Sequence, residues 1–185
     1  CSLLALATSP ALALATTWGP YNADMPAAGD QLKRDAKQGD LSGLAFIVSG
    51  WFKAQEVASG KSPIVAVGDW LLYTQDGRIG FEAPGVSLNS QAALKAGDWT
   101  FIAVTSDGAT VRLYAGGKTI GEAKGRLNAP SPSLVFAPRT AGDSAYAGKI
   151  AGFQVSDTAL DGKAVKALSA QPPKEDLINF DTGSP

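Results

Sequence analysis

The sequence has no histidine and a single cysteine, at position 1. Without histidine, Ser-His-Asp and Cys-His catalysis and His-ligated zinc are excluded within this chain. One cysteine excludes an internal disulfide and any thiolate cluster. An excess of charge is also missing: 16 Lys and Arg stand against 17 Asp and Glu, for a net charge of −1. A nucleic-acid binder needs a basic surface to displace counterions, so that class is set aside. No stretch after residue 15 approaches the ~18 apolar residues of a membrane span. What is present is a globular composition, 45% hydrophobic and 18% charged over 185 residues. That length suits one sizeable domain, able to bury roughly 70% of its unfolded surface without a metal or disulfide.

Residues 1–15, CSLLALATSPALALA, are uncharged and rich in Leu and Ala. They end in Ala13-Leu14-Ala15, the small-x-small pattern of a signal-peptidase site. The expectation is the remnant of a signal peptide, with an extracytoplasmic mature protein beginning at Thr16. Two alternatives stay open: a lipoprotein lipidated at Cys1, and a short apolar strand. Cleavage after Ala15 would leave a cysteine-free chain, as suits export to an oxidising compartment.

From Thr16 to about Ser156 short β-rich runs alternate with Gly, Pro and Asp. In Leu44 to Lys53, Leu44, Phe46, Val48 and Phe52 point one way, and Ala45, Ile47, Ser49, Trp51 and Lys53 the other. Ile64 to Val67, Leu71 to Thr74, Arg78 to Phe81, Trp99 to Thr105, Thr110 to Ala115, Lys118 to Glu122, Leu134 to Ala137 and Lys149 to Val155 complete the set. Three hairpins are signalled, at Gln75-Asp76-Gly77, Ser106-Asp107-Gly108 and Gly116-Gly117. Strands about ten residues apart with turns between them predict an antiparallel sandwich or barrel. Leu160, Ala164, Val165 and Leu168 follow helical spacing, so a short helix is predicted over 162–169 with Asp161 as its N-cap. Pro172-Pro173 stops it. Residues 171–185 read as a linker toward a further C-terminal domain.

Four stretches in this order carry a resemblance: FIVSGWFK (46–53), GDWTFIAVTSDGATVRLYAGG (97–117), YAGKIAGFQV (146–155) and the segment from Ala159 to Leu168. Together they resemble the LamG-like branch of the concanavalin A-like lectin/glucanase superfamily, with the second stretch the most specific. The resemblance implies an all-β domain over residues 16–170, a two-sheet antiparallel jelly-roll sandwich with a convex and a concave face and one short C-terminal helix. The third strand of the family often carries Asp-Glu after its Ile, where this chain has Ala151-Gly152. Some relatives bind ligand through calcium. Calcium is left open here, since the sequence offers no clear cluster of acidic and Asn ligands.

Catalytic relatives use a strand of the type Glu-x-Asp-x-Glu, which places a nucleophile and an acid on one face. The glutamates Glu56, Glu82, Glu122 and Glu175 do not fall in that pattern, so the chain itself is expected not to be an enzyme. Nucleotide motifs fail as well. A P-loop through Gly117-Lys118-Thr119 would need Gly where Arg112 stands, and one through Gly60-Lys61-Ser62 would need Gly at Gln55.

Binding is left. Sugar recognition wants flat aromatic faces for apolar C–H surface, and amides, carboxylates or Arg for hydroxyls. The wider candidates are Trp18, Arg78, Asn89, Arg139 and Tyr146. The chosen ligand-binding set is Trp51, Trp70, Tyr73, Arg112 and Tyr114. Trp51, Arg112 and Tyr114 lie opposite the apolar face of their strands. Trp70 follows Gly68-Asp69 and reads as a loop aromatic. The expected function is a non-catalytic carbohydrate-binding accessory module of a secreted bacterial-type enzyme, a glycoside hydrolase by association with the family. Its partners would be a polysaccharide or glycan and an adjacent catalytic domain of the same chain. The alternative is a structural or protein-interaction β-sandwich without a sugar ligand.

Overall fold

A computed structural model describes residues 15–36 and 39–184. The expected signal remnant falls almost wholly outside the described residues. The strands are β1 (Thr17–Met25), β2 (Leu32–Asp35), β3 (Ala45–Ala54), β4 (Lys61–Val67), β5 (Trp70–Gln75), β6 (Arg78–Ala83), β7 (Val86–Ala93), β8 (Thr100–Asp107), β9 (Thr110–Ala115), β10 (Lys118–Lys124), β11 (Ser133–Phe136), β12 (Gly148–Ser156) and β13 (Asp181–Thr182). One α-helix, α1 (Gly162–Leu168), and a 3-10 turn, Glu175–Leu177, follow β12.

The strands form two sheets. One runs β10-β9-β8-β3-β12-β1-β13 and the other β2-β11-β4-β5-β6-β7. All pairings are antiparallel except β1 with β13. This is the two-sheet jelly-roll architecture expected from the sequence.

Turn chemistry closes the hairpins as read. Asp76 and Gly77 both have positive φ, 51° and 76°, between the paired ends of β5 and β6. Gly116 and Gly117 do the same between β9 and β10, with φ of 54° and 75°. Two positive φ values in succession match the right-handed twist of the flanking strands, which is why Gly recurs there.

The core is filled by the inward rows of both sheets. Phe46, Val48 and Phe52 of β3 and Ile150, Phe153 and Val155 of β12 meet Trp70 and Leu72 of β5, Ile79 and Phe81 of β6 and Phe136 of β11. Burying each such side chain contributes roughly 1.5–3 kcal/mol before chain entropy is charged against it. The alternation read in β3 holds. Its other row, Ile47 and Trp51, packs in a second cluster on the outside of the seven-stranded sheet, with Phe101, Ala103, Tyr114, Leu160 and Val165. That cluster is roofed by α1, which Asp161 caps by accepting the backbone N–H of Ala164 at 2.8 Å.

The segment after Pro173, read from sequence as a linker, is laid against the sandwich. β13 runs parallel to β1, the Gly183 N–H donates to Asp24 O at 2.8 Å, and the Glu175 carboxylate bridges Lys53 and Lys149. Four strands escape the sequence reading altogether: β1, β2, β7 and β13.

Candidate functional site

Among the described residues no helix covers the outer face of the six-stranded sheet, and that face carries a polar cleft of about 430 Å³. Its position follows from strand alternation. In β5, Trp70 and Leu72 face the core, so Leu71, Tyr73 and Gln75 face out. In β6, Ile79 and Phe81 face in, so Arg78, Gly80 and Glu82 face out. In β7, Val86 and Leu88 face in, and Ser87, Asn89 and Gln91 face out. The hairpins set these outward rows side by side, with Tyr73 opposite Gly80 and Gly80 opposite Asn89.

Tyr73 forms the floor. Its ring lies across Gly80, where a Cβ would come within 2.6 Å of Tyr73 Cζ. Its hydroxyl donates to Asn89 Oδ1 at 2.6 Å, which leaves the Asn89 NH2 donors for another acceptor. Above the ring sits the Lys61 ammonium, 4.6 Å from the centroid, held by a 2.5 Å hydrogen bond to Glu82 Oε1. The phenol is only 4% exposed. Burial, and then the Glu82 charge, push its pKa up, and Lys61 opposes them. The hydrogen bond to Glu82 raises the pKa of Lys61. At the rim, Asp76 accepts the Gly60 N–H at 2.8 Å and is held below the usual carboxylate range, first by that bond. The Arg78 side chain lines the cleft, close enough to Asp76 for its charge to help lower that carboxyl's pKa. The cleft thus presents amides, a guanidinium and an ammonium–carboxylate pair over a buried aromatic floor. Those are the groups that exchange hydrogen bonds with ligand hydroxyls.

The five residues singled out from sequence are dispersed. Only Tyr73 lies in this cleft. Trp70 is the first residue of β5, not a loop residue: it is 2% exposed and sits in the core between Phe46 and Phe81, at ring-centroid distances of 5.3 and 6.4 Å. Trp51 is half-buried on the opposite side of the sandwich, edge-on to Phe101 at 5.4 Å. Tyr114 is 3% exposed in the same cluster, beside Gly162 of α1. Arg112 donates to Asp107 at 3.0 Å and to Glu122 at 2.8 Å in an exposed triad; the Arg112 bond to Asp107, followed by the Ala109 and Thr110 backbone N–H groups, lowers the Asp107 pKa to about 2. The structure therefore brings Trp51 and Tyr114 together, and keeps Tyr73 and Trp70 on the other sheet.

Of the wider candidates, Arg78 and Asn89 do join Tyr73. Trp18 and Tyr146 are core residues, with the Trp18 indole N–H donating to Gly39 O at 2.7 Å. Lys61, Gln75, Glu82, Ser87 and Gln91 were missed. The signal for the last two was the alternation of Val86–Ala93 after the turn at Pro84-Gly85. The glutamates lie apart: Glu82 on β6, Glu122 on β10, Glu175 in the 3-10 turn and Glu56 after β3. No group of three or more acidic or Cys side chains placed to hold a metal occurs among the described residues. Nor is any helix among them long and apolar enough to cross a membrane.

Comparison with solved structures finds the same fold. The ligand-binding domain of botulinum neurotoxin serotype D, solved with N-acetylneuraminic acid, aligns with a TM-score of 0.60 at 13% identity, over 80% of this chain and 42% of that one. The binding domain of botulinum neurotoxin DC, solved with rat synaptotagmin II, aligns with a TM-score of 0.60 at 14% identity, over 87% of this chain and 44% of that one. At such identities the likeness is one of fold, and the chain spans less than half the length of these neighbours. No curated protein matches the sequence. A laminin G-type family model matches residues 28–166, three quarters of the chain, and this chain, a two-sheet sandwich, belongs to the concanavalin A-like lectin/glucanases superfamily.

Proposed function

We propose that this domain is a non-catalytic carbohydrate-binding module whose sugar contact is the Tyr73 cleft. The observation that carries the reading is the outward row of Arg78, Asn89 and Gln91 beside the Lys61–Glu82 pair, on a sheet face that no helix among the described residues covers. Tyr73 acts as a positioning residue: its hydroxyl fixes the Asn89 amide, and its ring fixes the level of the floor. A cleft of this size suits one or two sugar rings, within the range of small-molecule sites. A fold neighbour solved with N-acetylneuraminic acid lends support. In this reading the module is extracytoplasmic and accessory to a secreted bacterial-type enzyme, a glycoside hydrolase, whose catalytic domain belongs to the same protein. The apolar, uncharged residues 1–15 support export.

Affinity electrophoresis of the full chain through gels holding plant, algal and bacterial polysaccharides tests this. The expected result is retardation by one class of polysaccharide, lost in Asn89→Ala and Arg78→Ala variants that melt like the wild type. Free migration in every gel overturns the reading. It would favour the second one, a structural or protein-interaction module. That alternative has its own support in the burial of Trp70 and Tyr114, and in the fold neighbour solved with synaptotagmin.

A further inference from the structure

Lys53 of β3 and Lys149 of β12 stand directly opposite each other in the antiparallel ladder. Like charges in that relation repel, and a sheet normally avoids them. Here the pair is bridged by one carboxylate. Glu175 Oε2 accepts from Lys53 Nζ at 2.9 Å, and Oε1 accepts from Lys149 Nζ. Each ammonium also has an aromatic ring beside it: Trp99 lies 5.9 Å from Lys53 Nζ and Phe180 lies 5.3 Å from Lys149 Nζ. The result is a two-pronged carboxylate receptor on the outer face of the seven-stranded sheet, away from the Tyr73 cleft.

Beside the clamp lies a second cleft of about 310 Å³, lined by Gln55, Gly97 and Gly148 as well as the three charged residues. Its glycine walls are bare backbone. At Gly148 a Cβ would come within 2.3 Å of Lys53 O, so that wall has no room for a side chain. A volume of about 310 Å³ lies at the small end of the range of small-molecule sites, which suits a single sugar ring. The segment that brings Glu175 is lightly held. Besides the two Glu175 ion pairs and the backbone bonds that join Gly183 to Asp24 and Ser184 to Gln31, it pairs with β1 over only two residues, forms an exposed ion pair between Asp181 and Arg34, and leaves Leu177 74% exposed. Local segments with so few buried contacts open readily.

We propose that Lys53 and Lys149 form a clamp for the carboxylate of a uronic acid residue in an acidic polysaccharide, with Glu175 as its built-in competitor. The ligand carboxylate takes the place of the Glu175 carboxylate, the sugar ring enters the Gly97–Gly148 cleft, and the 174–184 segment is released. This inference rests on the sugar-binding reading of the domain but not on the Tyr73 cleft.

The test uses the full chain and polygalacturonate as probe, with a neutral galactan and polyglutamate as controls. Amide hydrogen exchange is followed at Gly183 and Ser184, whose N–H groups are bonded to Asp24 O and Gln31 O in the docked segment. Polygalacturonate is expected to speed exchange at both amides by about tenfold or more, and to bind Glu175→Gln about tenfold more tightly than wild type, because a competing occupant has been removed. Lys53→Met and Lys149→Met should each abolish the effect, and thermal melts identify any variant that fails to fold. The neutral galactan should leave exchange unchanged. Unchanged exchange with polygalacturonate, together with no gain in Glu175→Gln, overturns the proposal. So does an equal response to polyglutamate, which would make the clamp a peptide site. Retardation in neutral polysaccharide gels alongside such a failure leaves the Tyr73 reading standing; loss of all polysaccharide binding removes both.

Discussion

Tyr73 rests directly on Gly80, its neighbour across the β5–β6 ladder. The two residues fix the depth of the cleft, because the phenol occupies the space that any other residue at position 80 would fill. Gly80→Ala puts a methyl group 2.6 Å from Tyr73 Cζ, so the ring must lift toward Lys61. Overpacking of this kind costs about 1–3 kcal/mol. We expect a lower denaturant midpoint with an unchanged m-value, and weaker retention on whichever polysaccharide the wild type binds. Wild-type stability in Gly80→Ala would mean that the ring has another resting place.

Tyr73→Phe separates the floor from the hydrogen bond. It keeps the ring and removes the donor to Asn89 Oδ1. The loss is about 1 kcal/mol of stability, typical of one hydrogen bond. The Asn89 amide is then free to turn, so polysaccharide affinity should fall while the melting temperature drops by about 2–4 °C. Affinity equal to wild type would remove Tyr73 from any positioning role.

Trp70→Ala is expected to behave as a core deletion, with a loss of about 3–5 kcal/mol. The ring is enclosed by Phe46 and Phe81, and the cavity has no way to collapse without moving both sheets. A variant that folds normally but loses sugar binding would contradict that placement.

Trp70 also shows where the sequence misleads. Gly68-Asp69 before it looks like the start of a loop. It is instead a two-residue turn, with Val67 and Trp70 already paired across β4 and β5. Counting the strand from Trp70 rather than Leu71 makes Trp70, Leu72 and Thr74 one face and puts Tyr73 on the other. The two-sheet fold was legible because the inward rows of β3, β9 and β12 are apolar and the turns carry Gly at positive φ. The helix was legible through its spacing and the Asp161 cap. β7 was not, because in VSLNSQAA the inward row fades from Val86 and Leu88 to Ser90 and Ala92, and Val86 is its one β-branched residue. Losing β7 hid Ser87 and Gln91, and with them most of one wall of the cleft. Tyr114 and Trp51 were placed on the right face, but a periodicity within single strands cannot say that α1 will fold back and cover that face.

The Lys53–Glu175–Lys149 bridge has a signature in acid. The two ammonium groups, Lys149 first, hold the Glu175 carboxyl at a pKa of about 2, below the ordinary value of 4.5. A depressed carboxylate adds stability that is fully present above the unfolded pKa and is lost as the pH falls through the folded one. The window is therefore about pH 4.5 down to 2. The carboxylate is partly exposed, so solvent and salt screen the effect and keep its amplitude small. Glu175→Gln lacks this contribution. Its denaturant midpoint should start below that of the wild type at pH 6, and the gap should close as the pH approaches 2 at low ionic strength. Asp107, also at about pKa 2 beside Arg112, titrates over the neighbouring range in both proteins and cancels in the difference. Curves that stay parallel from pH 6 to 2 would show that the charged bridge adds nothing to the folded state, and that the 174–184 segment is held by its contacts with β1, Gln31 and Arg34.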